Sequence, residues 1–213
     1  MARDNRKLVT REKIMRSALR LFAVRGFDAV SVQSIGEDAG IAHGTIFWHF
    51  GSKETLYIEV MRWAGEQFVE AMDEVLMRRN VTFTELATAE LAYFRAHPQV
   101  GRLALAIVFE AIGPHPELAP ALKLFNMRTG EIWRRWVNKA MERGDIAPDI
   151  DAEDLVHIIV SAISGILVTG SVSPRNDPAR LLAELAKIVE RGCFVSHADL
   201  KSRIPTQLRP RTA

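Results

Sequence analysis

Between residues 42 and 56 the chain reads AHGTIFWHFGSKETL, and the residue types in it suit recognition more than bond-making. Thr45 offers a short hydroxyl that can bond a base edge. Trp48 offers a flat ring that can lie against a thymine methyl or a sugar. Ala42 and Gly44 are small enough for a helix to approach its target closely, and no acid stands among these residues. His43, His49 and Lys53, with the Ser31 hydroxyl upstream, are donors of the kind that meet phosphate oxygens. Bond-making chemistry has no comparable cluster. There is no glycine-rich phosphate loop, no Cys/His metal spacing and no G-x-S-x-G elbow, and His97, His115 and His157 fall in separate contexts. No catalytic residue, metal or cofactor is expected.

The elements that must position these side chains are helices. From Thr10 to Arg25, Ile14, Ala18, Leu21 and Phe22 recur at helical spacing and Gly26 closes the run. Ser31 is placed to cap a short second helix that carries Ile35 and Ala39 and stops at Gly40. A third short helix fits His43 to Phe50, and Gly51 allows the sharp turn into a fourth, capped by Ser52 and periodic to about Arg79. That fourth helix would run about 40 Å at 1.5 Å per residue. Further helices fit from Thr82 or Thr84 to His97, over 100–112, 117–143, 152–170 and 178–195, which makes the chain all-α with a small basic headpiece on a larger helical body.

On the third helix Ile46 and Phe50 share a side with the apolar residues of the first two and are expected in the core. The opposite side presents His43, Gly44, Thr45, Phe47 and Trp48. Aromatics on a short helix are more often core than contact, so Phe47 is expected to pack inward; Trp48, about 100° further round, is expected to face out. A second helix joined to such a third by a three-residue turn is the helix-turn-helix arrangement, whose second helix enters the DNA major groove.

The run from Arg11 through LFAVRGFDAVSVQSIGEDAGIAHGTIFWHFGSKETL resembles the DNA-binding domain of the TetR family of bacterial transcriptional regulators. The likeness covers about residues 10–60 and includes the aromatic-His-Phe followed by Ser-Lys-Glu. It implies base or backbone contacts from Val32, Gln33, Ala42, His43, Gly44, Thr45 and Trp48, and phosphate contacts from Ser31, Phe47, His49 and Lys53. Phe47 stands where many relatives have tyrosine, and Ala42 where serine is common. Beyond residue 60 the likeness is one of helix count and layout. It implies a small-molecule pocket in the body and a homodimer made by the last two helices.

The body's own chemistry is compatible with both. Leu155, Ile159, Ile163 and Ile166 spread around one helix beside small residues, and Leu182, Leu185 and Val189 stripe the next. These seven are the expected dimerisation residues, the chain's own core being the competing use. Trp63, Phe68, Phe94, Phe109, Phe125 and Trp133 are large enough to wall a pocket, and His97 and Glu110 could orient a ligand. Trp136, His115 and the pair Arg134–Arg135 are further candidates.

Charge divides along the same lines. Nine Lys and Arg against five Asp and Glu make residues 1–53 net +4, fifteen against twenty make 54–195 net −5, and four against one make 196–213 net +3. A polyanion would meet the N-terminal end. With one cysteine, Cys193, no internal disulfide can form, and a reducing cytoplasm is the expected location. The apolar stretch 155–172 contains His157, three serines and two glycines, and reads as a buried helix, not a membrane span. The expected organisation is a DNA-binding domain over 1–51, a ligand-binding and dimerisation domain over 52–195 and a disordered basic tail over 196–213. The expected activity is that of a dimeric repressor on a near-palindromic double-stranded DNA operator, released by a small apolar effector. The alternatives are a DNA binder governed by a protein partner or acting without a ligand, and a small-molecule-binding helical enzyme.

Overall fold

The computed structural model describes residues 2–173 and 175–193, and the basic tail lies outside them. Among the described residues there is no strand. Nine helices follow one another in these described residues: α1 (Ala2–Arg25), α2 (Val32–Ala39), α3 (His43–Phe50), α4 (Lys53–Leu76), α5 (Phe83–Ala96), α6 (Pro98–Ile112), α7 (Ala119–Glu142), α8 (Ala152–Val172) and α9 (Pro178–Cys193), with a 3₁₀ turn at Pro116–Leu118 before α7.

Two boundaries depart from expectation. Helix α1 begins eight residues before Thr10, because the polar stretch before Thr10 carries no apolar stripe yet contains no helix breaker. Helix α4 stops at Leu76, so its 24 residues span about 36 Å.

The chain forms two compact units, Met1–Asp73 with Ala92–Thr129, and Glu74–Leu91 with Gly130–Ala213. The first is larger than the expected headpiece because α6 packs across α1. Its core joins Ile14, Ala18 and Phe22 of α1 to Ile35 of α2, Ile46 and Phe50 of α3 and Leu56, Tyr57 and Val60 of α4, all at most 5% exposed. Burying each large apolar side chain there contributes roughly 1.5–3 kcal/mol. In the second unit Leu86 and Ala87 of α5, Ile132, Trp133, Trp136 and Val137 of α7, Leu155, Ile159 and Ile163 of α8 and Leu182, Ala186 and Val189 of α9 are buried. Lys139 donates to the Leu76 carbonyl at 3.1 Å, and Arg134 pairs with Glu153 at 2.7 Å. The stretch Ala152–Gly170 of α8 is long and apolar enough to cross a membrane by length and composition, and α8 packs against α9.

Candidate nucleic-acid interface

Local chemistry fixes the turn between α2 and α3. Ser31 caps α2: its hydroxyl oxygen accepts from the Ser34 amide at 3.0 Å, while the Ser31 amide donates to the Ser34 hydroxyl at 3.2 Å. A Cβ on Gly36 would stand 2.7 Å from the Ile41 carbonyl oxygen, so only glycine lets the turn fold back this tightly. Gly51, at φ 75°, ends α3 in a conformation that side-chain-bearing residues avoid and turns the chain into α4. Asp38 ties α2 to α1, accepting from the Ser17 hydroxyl and pairing with Arg20 at 2.6 Å. Those two donors, Ser17 first, hold its carboxyl below the usual range despite an opposing desolvation effect.

With Ile46 and Phe50 seated in the core, the far side of α3 is bare. Trp48 is 67% exposed, and Ala42, His43 and Gly44 are exposed, with Thr45 half-buried between them. Phe47 departs from the inward placement expected of it: it is 42% exposed and its ring lies against His43 at 4.7 Å. The tendency of aromatics to be core misplaced it, because Ile46 and Phe50, four apart, already occupy the inner face of this two-turn helix. Gln33 is exposed on α2, held to Glu37 at 3.0 Å, and Val32 is half-buried.

The phosphate donors are less alike than their sequence suggests. His49 is half-buried, and burial first, then the charges of Arg11 and Lys7, lower its pKa, so at neutral pH it offers an N–H and no charge. Lys53 is not a free ammonium: it donates to the Phe27 carbonyl at 3.1 Å and sits 4.1 Å from the centre of the Phe27 ring. Phe27 is held from the other side as well, its amide donating to Glu110 Oε1 of α6 at 3.3 Å. Next to it His115 places Nε2 2.8 Å from Asp28 and Nδ1 2.8 Å from Glu117. The hydrogen bond to Glu117 first, then the neighbouring Asp28 carboxylate, raise the His115 pKa and favour the imidazolium. Lys7, missed in the sequence because it registered only as part of a charge excess, reaches over the Trp48 ring at 5.2 Å. The arrangement is a bare, acid-free helix face with flat, hydroxyl-bearing and basic groups, held rigidly from behind.

Residues 14–60 match the model of bacterial regulatory proteins of the tetR family, and residues 83–192 match the tetracyclin repressor-like C-terminal domain. The chain belongs to the TetR family. It is a DNA-binding transcriptional regulator of the helix-turn-helix type, with a helical C-terminal body. The transcriptional regulator UidR of Escherichia coli K12 is 26% identical over 159 residues, 74% of this chain and 80% of its own. The transcriptional repressor KstR2 of Mycolicibacterium smegmatis is 27% identical over 150 residues, 69% of this chain and 72% of its own. FadR of Bacillus subtilis, solved in complex with stearoyl-CoA, shares the fold with a TM-score of 0.73 at 19% identity, covering 85% of this chain and 98% of that one.

The body of this TetR-family chain disposes the expected pocket and dimer residues unevenly. In the first unit Phe68 is buried and stacks on Phe94 at 5.5 Å, Phe125 is buried, and Trp63 is half-buried with Arg16 over its ring. Phe109, by contrast, is 71% exposed and walls no interior pocket. Glu110 is committed to the Phe27 amide, and His97 is an exposed residue bonded to the Tyr93 carbonyl at 3.0 Å. In the second unit Trp133 is buried and donates its indole N–H to Glu90, which nothing in its sequence surroundings singles out.

Of the expected dimerisation residues, Leu155, Ile159, Ile163, Leu182 and Val189 are at most 6% exposed within one chain, so they serve its own core; Ile166 and Leu185 are half-buried. Among the described side chains of α8 and α9, the large apolar ones left exposed are Ile158 and Ile188.

Proposed function

We propose that the chain works as a homodimeric repressor that binds a near-palindromic operator through α3 and is released by a small, largely apolar effector. The observation that carries this reading is the outward face of α3, where Trp48, Thr45 and His43 stand clear of a core that Ile46 and Phe50 complete. In a major groove Thr45 would bond base edges and Trp48 would meet a thymine methyl or sugar, while Ser31, His49 and the amides at the start of α4 take phosphates. Such a protein acts in the cytoplasm, where the DNA is.

A second copy of the chain is the partner favoured by α8 and α9. Helix α8 is apolar nearly all round, yet Ile158, Ser161 and Gly165 remain exposed along one stripe, and no heavy atom lies within 4 Å of where a Gly165 Cβ would stand. Small residues on that stripe allow a like helix to approach closely, and Ile188 of α9 is exposed as well. Two recognition helices would then sit about 34 Å apart, one DNA turn.

Release by an effector is supported by the aromatic interior of the body and by the ligand-bearing structure of FadR, which shares the fold. Coupling is reciprocal: an effector that weakens operator binding tenfold, about 1.4 kcal/mol, must itself bind tenfold more weakly to the DNA complex. Titrating an effector into free and operator-bound protein tests the reading. Unequal affinities support it, and equal affinities would leave a DNA binder regulated by other means.

A further inference from the structure

We infer that the second unit holds a binding site for an amphipathic organic cation, an ammonium group on an apolar body, whose charge is received by the Glu90 carboxylate beside the Trp133 ring. The inference rests on the effector reading above and narrows the chemical class of the effector.

Glu90, on α5, is 7% exposed, and the α5 residues around it, Leu86, Ala87 and Leu91, are buried and apolar. Its Oε2 accepts the Trp133 indole N–H at 2.9 Å, and that bond and burial are what act on the carboxyl. A carboxylate withdrawn from water and given one neutral donor costs several kcal/mol. Holding an indole N–H does not require that cost. One turn along α7 the Trp136 N–H is satisfied by a backbone carbonyl, that of Val81, at 2.8 Å. The acid at position 90 therefore exceeds what its neighbour needs.

The basic groups of α7 do not neutralise it. Burial and the Trp133 hydrogen bond are the influences that act on its titration, with no cation among them; on α7 Arg134 is paired with Glu153 and Lys139 is bonded to the Leu76 carbonyl. What meets the carboxylate is aromatic: Trp133, whose ring packs with those of Phe83 at 5.0 Å and Trp136 at 5.9 Å between centroids. The faces of such rings attract an ammonium as well as an apolar chain. There is also space on α7. Gly130, one turn before Trp133, is itself buried, yet among the described residues no atom outside its own stretch of helix lies within 4 Å of the position a Cβ would take.

Burial holds the Glu90 carboxyl up at about 7, opposed only by the Trp133 hydrogen bond, so near neutrality part of the population is protonated. An arriving ammonium would stabilise the carboxylate and send the carboxyl proton to the buffer. Affinity should therefore rise with pH by up to about tenfold per unit below 7 and level off above it.

The test is calorimetric titration of the full chain with decyltrimethylammonium, decanol and decanoate, in phosphate and in Tris, with Glu90→Gln alongside. The expected result is cation binding at least about tenfold tighter than that of the neutral or anionic chain, with proton release visible as a buffer-dependent heat. Glu90→Gln should lose about tenfold or more for the cation, lose the proton release and leave decanol binding unchanged. An equal affinity for all three probes, an unaffected Glu90→Gln, or no cation binding would overturn the inference. If decanoate or decanol released operator DNA while the ammonium did not bind, the inference would fall and the effector reading would stand.

Discussion

Replacing Glu90 by glutamine should make the protein more stable, and increasingly so as the pH rises. In the folded chain the carboxyl titrates at about 7, against 4.5 when it is free of the fold. Folding therefore takes up a proton between those values. Below 4.5 both states are protonated and the buried acid is tolerated at no electrostatic cost; as the pH rises through 7 the folded state must carry a buried carboxylate, and that tolerance is lost. The difference of about 2.5 pH units corresponds to roughly 3 kcal/mol at pH 8.5. Glutamine has nearly the same shape, keeps an oxygen to accept the Trp133 N–H, and has nothing to ionise. Urea unfolding of both proteins at several pH values measures the effect. The stability gap between variant and parent should widen by about 2–3 kcal/mol between pH 5 and pH 8.5. A gap that does not change with pH would refute the reasoning, because a purely steric role for Glu90 has no proton linkage.

Trp48→Ala should weaken specific operator binding by about 1–3 kcal/mol in a mobility-shift titration while leaving the thermal midpoint unchanged, since the side chain is 67% exposed. Lys53→Ala should weaken binding to all sequences and flatten the log–log salt slope by about one; because the ammonium also holds the Phe27 carbonyl, calorimetry should show a lower midpoint too. Ile158→Glu together with Ile188→Glu should give a folded monomer by sedimentation, whereas Ile163→Glu, at a position 1% exposed in the single chain, should fail to fold.

The headpiece was legible in the sequence because short-range chemistry decides it. Ser31, Gly40 and Gly51 mark where α2 and α3 start and stop, and the four-residue spacing of Ile46 and Phe50 assigns the inner face. Phe47 was misread since a frequency argument about aromatics cannot see that the inner face was already full. The body was legible as helices but not as surfaces. A helix such as α8, apolar on most sides, does not disclose which side the chain keeps for itself, and Ile163 and Ile158 look alike until α9 is placed. Glu90 was invisible for a related reason: an acid within TAELAYF reads as a solvated helix residue, and Trp133, which meets it in the fold, comes from a distant part of the chain. The role of Lys53 behind the turn, and the Asp28–His115–Glu117 cluster beside it, depend likewise on where α6 comes to rest.

The central claim is that the exposed face of α3 reads one DNA site, and nuclease footprinting on the DNA flanking the protein's own gene tests it most directly. The purified protein should protect one near-palindromic site with half-sites a helical turn apart, and Trp48→Ala should lose that protection at concentrations where the parent protects fully. Uniform protection along the DNA, or a footprint that Trp48→Ala leaves intact, would contradict it.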